Sequence, residues 1–193
     1  MTIGRYSVIG GLVVCIATAV LVAYGYRPFW SPNGEKGSEG LHHPVLPRSA
    51  KARAHLYFSD VDHSFLRAEV RTLALSEGMA QRTRQIVEAL VAGPEGPLTP
   101  TIPAGTRLLA VYLADHGTVY LDFNRAITEN HPGGTLSELM TIFSLVNTLA
   151  LNISEVKAVK ILIGGREAET LAGHVDIRFP FRPNVLMIRK PLS

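Results

Sequence analysis

The sequence predicts an α+β fold: an antiparallel sheet covered by two helices in the order ββαββαββ, preceded by one transmembrane helix and a flexible linker. Three observations predict it. An uncharged apolar run from Tyr6 to Tyr26 opens the chain, a Pro- and Gly-rich stretch follows, and from Ala54 onward short period-two segments alternate with two helical ones. These divide the chain into an anchor over 1–26, a linker over 27–53 and a globular domain over 54–193.

At 193 residues and 47% hydrophobic content, there is room for one well-cored domain plus an appendage. The formal charge of +3 is mildly basic, but Lys and Arg alternate with Asp and Glu through most of the chain, so no nucleic-acid partner is expected. Cys15, the single cysteine, lies inside the apolar run, which leaves the globular part no thiol for a disulfide or a metal.

As a helix the Tyr6–Tyr26 run would cross roughly 30 Å of hydrocarbon. Arg5 precedes it, and Tyr24, Tyr26, Arg27 and Trp30 stand where aromatic rings and a cation settle at the headgroups. The expectation is a single-pass anchor in a bacterial cytoplasmic membrane, with the C-terminal domain outside. Two alternatives are a cleaved secretion signal, with small residues at Ala23-Tyr24-Gly25, and a lipoprotein, with Leu12-Val13-Val14-Cys15 as a poor cleavage box. All three export the rest of the chain. Pro28, Pro32, Gly34, Gly37, Gly40, Pro44 and Pro47 then read as a solvated spacer, in which His42-His43 lack further ligands for a metal.

The first strand holds Leu56 and Phe58 on one face and ends at the turn Ser59-Asp60-Val61-Asp62. In the second, Leu66, Ala68 and Val70 alternate with Arg67, Glu69 and Arg71, which assigns the first set to the core and the charges to water. A helix from Met79 to Ala92 buries Ile86, Val87, Leu90 and Val91, and Gly93-Pro94 stops it. Leu108–Leu113 and Val119–Phe123 form a hairpin around Asp115-His116-Gly117. The second helix opens after Pro132-Gly133-Gly134, with Thr135 and Glu138 spaced as a capping box and an apolar face from Leu139 to Ala150. Val156–Ile163 reads as the most buried strand, turning at Gly164-Gly165 into a partner around Ala168–Leu171. The Pro-rich tail packs over an edge.

Taken together, Leu56-Tyr57-Phe58-Ser59-Asp60, Leu90-Val91-Ala92-Gly93-Pro94, Ile102-Pro103-Ala104-Gly105-Thr106, Val119-Tyr120-Leu121-Asp122-Phe123, Ser144-Leu145-Val146-Asn147-Thr148-Leu149, Val159-Lys160-Ile161-Leu162-Ile163-Gly164-Gly165 and Leu171-Ala172-Gly173-His174-Val175-Asp176 resemble the GerMN domain of sporulation and spore-germination proteins. The resemblance runs in family order from Leu56 to Phe181. It implies an exported, membrane-attached domain whose α/β wedge is similar to the ring-building modules of secretion machinery, and a role in envelope assembly. Some members carry two such domains in tandem where this sequence shows one.

Chemistry is sparse. No Walker loop, G-x-S-x-G elbow or H-E-x-x-H helix occurs, and His55, His63, His116, His131 and His174 lack ligand spacing, so neither metal nor cofactor is expected. Asp60 and Asp62 suit local amides better than acid–base work. Four residues stand as interaction candidates. Arg71 and Lys160 would present cations across the sheet, unless they are merely solvated; Asn147, bordering the helix stripe, would bond a loop or a partner; His174, after Gly173, suits a structural corner or a contact. The expected function is non-catalytic: an exported assembly module, anchored through residues 6–26, that docks another envelope protein or copies of itself. Binding of cell-wall glycan (peptidoglycan) or another envelope ligand through a polar groove near Pro94 to Thr106 is the alternative, and a hydrolase assembled from scattered His and Asp the second alternative.

Overall fold

In the computed structural model the described residues are 49–189; the expected membrane helix, and the linker up to residue 48, lie outside them. No helix among the described residues is long and apolar enough to cross a membrane.

Ala54, Leu56 and Phe58 point into the core from β1 (Ser49–Ser59), which pairs antiparallel with β2 (Leu66–Ser76). Residues 49–53 are therefore strand, although their composition reads as linker. The phase of β2 is the reverse of the sequence expectation. Its partners across the hairpin are Leu56 with Glu69 and Ala54 with Arg71, so Glu69, Arg71, Leu73 and Leu75 share the inner face while Ala68, Val70, Thr72 and Ala74 are exposed. Cross-strand partners in an antiparallel pair share a face, so the inward row of β1 dictates that of β2 whatever its charges. Leu66 is buried on the opposite face with Tyr57 and Met140.

Helix α1 (Met79–Val91) lays Ile86, Val87 and Leu90 onto this inner face, as its 3.6-residue period predicts. After the loop through Gly105 come β3 (Leu108–Leu113) and β4 (Thr118–Phe123), the expected hairpin; its turn needs left-handed backbone at His116 (φ 58°) and Gly117 (φ 77°). The short α2 (Ala126–Glu129) leads to α3 (Thr135–Asn152), and β5 (Ala158–Ile163) then pairs with β4 in parallel. The α+β class thus holds, with two sheets, β1-β2 and a mixed β3-β4-β5, in place of one antiparallel sheet. The parallel pairing follows from α3, whose 18 residues carry the chain back along its own length so that β5 runs the same way as β4. The strand expected around Ala168–Leu171 is reduced to isolated bridges, Ile163 with Arg166 and Thr170 with Asp176.

Helix α3 is buried nearly all round from Met140 to Leu149. Ile142, Leu145, Val146 and Leu149 join Phe58, Ile86, Leu121, Phe123 and Ile161 in one core. Three of its polar residues face β1. Ser144 Oγ donates to the Tyr57 carbonyl (2.6 Å), the Tyr57 amide donates to Thr148 Oγ1 (3.0 Å), and Asn152 bonds both the amide and the carbonyl of His55 (2.9 and 2.8 Å). Spaced four apart on one helix face, these three side chains replace the strand that would otherwise lie beside β1.

Candidate functional site

Each of the four interaction candidates makes hydrogen bonds or ion pairs within the domain. The Arg71 guanidinium, expected in water, turns inward over the Phe58 ring, donates to the carbonyls of Ala89 (3.3 Å) and Gly93 (2.6 Å) at the end of α1, and pairs with Glu69. A cation there satisfies the last carbonyls of the helix and complements its dipole. Glu69 in turn accepts from the Glu95 and Gly96 amides; burial would raise its carboxyl, but these bonds and Arg71 outweigh burial and hold it below its ordinary value. Lys160, also expected on an exposed sheet face, is 1% exposed. Its ammonium donates to the carbonyls of Ile177 (3.2 Å) and Arg178 (2.5 Å) and lies 3.6 Å from Glu167, tying the closing segment to β5. Asn147 is fully buried and exchanges two bonds with the backbone of Asn184, Nδ2 to its carbonyl and its amide to Oδ1, each 2.9 Å.

His174 stands at a corner after Gly173 (φ 106°), and its partner is Glu138, expected instead to cap the helix. Glu138 does not close a capping box with Thr135: Gly134, at φ 89°, is the N-cap, Thr135 is already helical, and no side chain caps the helix. The fully buried Glu138 carboxylate instead accepts from the amides of Val175 (2.8 Å) and His174 (3.1 Å) and lies 2.8 Å from His174 Nδ1. The Gly134 amide also points at that nitrogen, from 3.2 Å. One nitrogen cannot both donate and accept, and the ionised carboxylate is the stronger claimant, so the ring proton belongs on Nδ1. Burial would raise the Glu138 carboxyl; the Val175 amide, the His174 ring and the amides of Ala172 and His174 more than reverse this and lower it.

Asp60 takes the turn role, accepting from the amides of Ser64 (2.8 Å) and Phe65 (3.2 Å), with Arg189 Nη1 3.2 Å from its other oxygen and Asp62 no closer than 4.0 Å to that arginine. Among the described residues no group of three or more His, Cys, Asp or Glu side chains is placed to hold a metal ion.

Two features remain open to a partner. The first is a groove of about 560 Å³ where the loop through Pro100 and Pro103 faces the start of α3, walled by Pro100, Ile102, Pro103, Leu136 and Met140, with His63 at its rim. Its lining residues His131, Gly133, Thr141 and Thr101 form a closed relay. His131 Nδ1 accepts from the Gly133 amide (3.0 Å), which leaves Nε2 to donate to Thr141 Oγ1 (3.0 Å), and Thr141 donates to the Thr101 carbonyl (2.5 Å). Burial pushes the His131 ring down despite the opposing pull of Glu138, keeping it neutral. With His131, Thr141 and the Thr101 carbonyl mutually satisfied, the apolar walls of the groove offer shape and apolar contact.

The second is the outer edge of β2. The Leu66 carbonyl accepts from the Arg189 amide, on the side away from β1, so the even-numbered members of β2 aim their amides and carbonyls outward. At Ala68, Val70, Thr72 and Ala74 these groups have no partner among the described residues, and Val70 is 44% exposed.

A two-sheet α+β domain whose polar residues brace loops is what these observations define. The chain belongs to the family described as "Germane: Sporulation and spore germination", whose model matches residues 55–169, more than half of it. Among solved structures it is similar to a putative lipoprotein from Clostridium perfringens (21% identity over 69% of this chain and 88% of that one, TM-score 0.50). It is also similar to the tandem GerMN domains of the sporulation protein GerM from Bacillus subtilis (22% identity over 64% of this chain and 43% of that one, TM-score 0.49). The first GerMN domain of the same protein is matched as well (23% identity, 62% and 88% covered, TM-score 0.46). The chain thus spans less than half of the tandem pair and most of the single domain. Comparison with curated proteins gives no match.

Proposed function

We propose that this protein is a non-catalytic assembly module of the bacterial envelope, held outside the cytoplasmic membrane by its N-terminal apolar run, and that it acts by docking another protein onto its GerMN-type domain. The observation that carries this reading is the open edge of β2. Natural edge strands are commonly blunted by lysine, proline or a bulge. The outward row Ala68, Val70, Thr72, Ala74 has none of these over a continuous register, while the corresponding edge of β1 is sealed by Ser144, Thr148 and Asn152. A strand added there gains main-chain hydrogen bonds without displacing anything described. Affinity capture from membranes with the full chain tests the reading: specific partners lost from a Val70→Lys variant support it, and identical recoveries with both chains refute it.

A second reading has its own observation. The groove between Pro100 and Leu136 shares only its Pro100–Pro103 side with the loop expected to form a polar groove, and its walls are apolar instead, which suits a short peptide or the apolar face of a sugar ring. Retention of the full chain on purified peptidoglycan, abolished by Leu136→Glu, separates this reading from protein docking.

A further inference from the structure

Resting on the docking reading, we infer that the open edge of β2 takes a second copy of this chain, antiparallel and across a two-fold axis at Val70. The strand is its own complement in that register. With Val70 opposite Val70, Ala68 faces Thr72 of the second copy, and on the other face Glu69 faces the second copy's Arg71, twice by symmetry. Moving the axis by one residue changes this. At Arg71 two guanidinium groups stand opposite one another, and at Glu69 two carboxylates do. Moving it to Thr72 sets Arg71 against Leu73 and loses both charge pairs.

The hydrogen bonding selects the same stretch. Val70 aims its amide and carbonyl outward, so a Val70 axis makes a pair that exchanges both bonds, flanked on each side by an Ala68–Thr72 pair that does the same, about six bonds in all. The stretch has a natural stop, because Ile188 bridges to Leu66 in parallel and the Arg189 amide already occupies the Leu66 carbonyl. The side chains brought together on the exposed face are Val70, Ala68 and Thr72, small and uncharged, so the two hairpins approach without burying a charge there. Glu69 and Arg71 are paired within each copy, so the crossed contacts would join two existing ion pairs into one cluster.

Site-directed crosslinking tests the register. In the full chain with Cys15→Ser, Val70→Cys places two thiols on residues whose Cα atoms lie about 5.5 Å apart, within disulfide range. Ala68→Cys alone places them about 14 Å apart, beyond it. The expected result is a disulfide-linked dimer from Val70→Cys, none from Ala68→Cys alone, and recovery of the crosslink when Ala68→Cys and Thr72→Cys chains are mixed. Dimers from Ala68→Cys alone, or Val70→Cys chains that stay monomeric at an unchanged melting temperature, overturn the inference. If Val70→Cys is trapped on a different protein instead, self-pairing falls and docking stands. If neither a second copy nor another protein is trapped, both fall.

Discussion

Replacing Glu138 by Gln keeps the side chain's size and removes its charge from a fully enclosed position. The carboxylate accepts from the Val175 and His174 amides and from the His174 ring. Gln keeps one acceptor oxygen but turns an NH2 group toward donors. Hydrogen bonds to a charged group contribute about 1.5–3 kcal/mol and neutral ones about half as much, so the net loss is about 2–3 kcal/mol after the remaining bonds readjust. For a domain of this size that lowers the melting temperature by roughly 5–10 °C. The pH dependence carries the sign. The folded-state pKa lies below the ordinary 4.5, so the stabilisation is complete above that value and disappears as pH falls through the lowered one. Urea unfolding of the full chain at neutral and acid pH is expected to show a large gap between wild type and Glu138→Gln that narrows with acidification. Equal stability at neutral pH, or a gap that persists unchanged into acid, would show that Glu138 does not hold the 172–175 loop as a carboxylate.

Arg71→Met retains an apolar stem over Phe58 and removes the guanidinium, so it is expected to cost about 1–3 kcal/mol and to speed amide exchange at Glu95 and Gly96 as Glu69 loses its anchor. Unchanged exchange there would return Arg71 to the role of a solvated cation. Asn147→Ala strands the backbone amide and carbonyl of Asn184 and is expected to cost about 1–2 kcal/mol, read by denaturant unfolding, with faster proteolysis of the segment around Arg182. Gly117→Ala forces a side chain onto a left-handed residue and drives its Cβ into the Glu155 carbonyl, so thermal unfolding is expected to register at least about 1–3 kcal/mol of strain.

Where a local pattern decides the structure, the sequence was readable. Ile86, Val87 and Leu90 placed α1, the stripe from Ile142 to Leu149 placed α3, and Asp115-His116-Gly117 placed the hairpin turn. Where a distant partner decides, it was not. The alternation in β2 is equally regular in either phase, and the row Leu66, Ala68 and Val70 is the more apolar one. The true phase is set by the partners Leu56 and Ala54 on β1, and the charges of Glu69 and Arg71 are tolerated inside because they neutralise one another and bond the end of α1. Lys160 follows the same rule, since the carbonyls that receive it belong to residues 177 and 178, distant in sequence from β5. Glu138 had the spacing of a local cap, but the amides it serves lie near residue 174, and only the folded loop brings them there. The open edge of β2 had no signal of its own beyond the missing lysine or proline at Ala68, Val70, Thr72 and Ala74.

Amide hydrogen exchange along β2 in the full chain addresses the docking surface most directly. Fast exchange is expected at Ala68, Val70 and Thr72 in dilute protein, slowing together as concentration rises, while the amides of Glu69 and Arg71, already bonded to β1, stay slow throughout. If all five exchange at the same concentration-independent rates, both alone and in the presence of envelope membranes, the outer edge of β2 is not where this protein works.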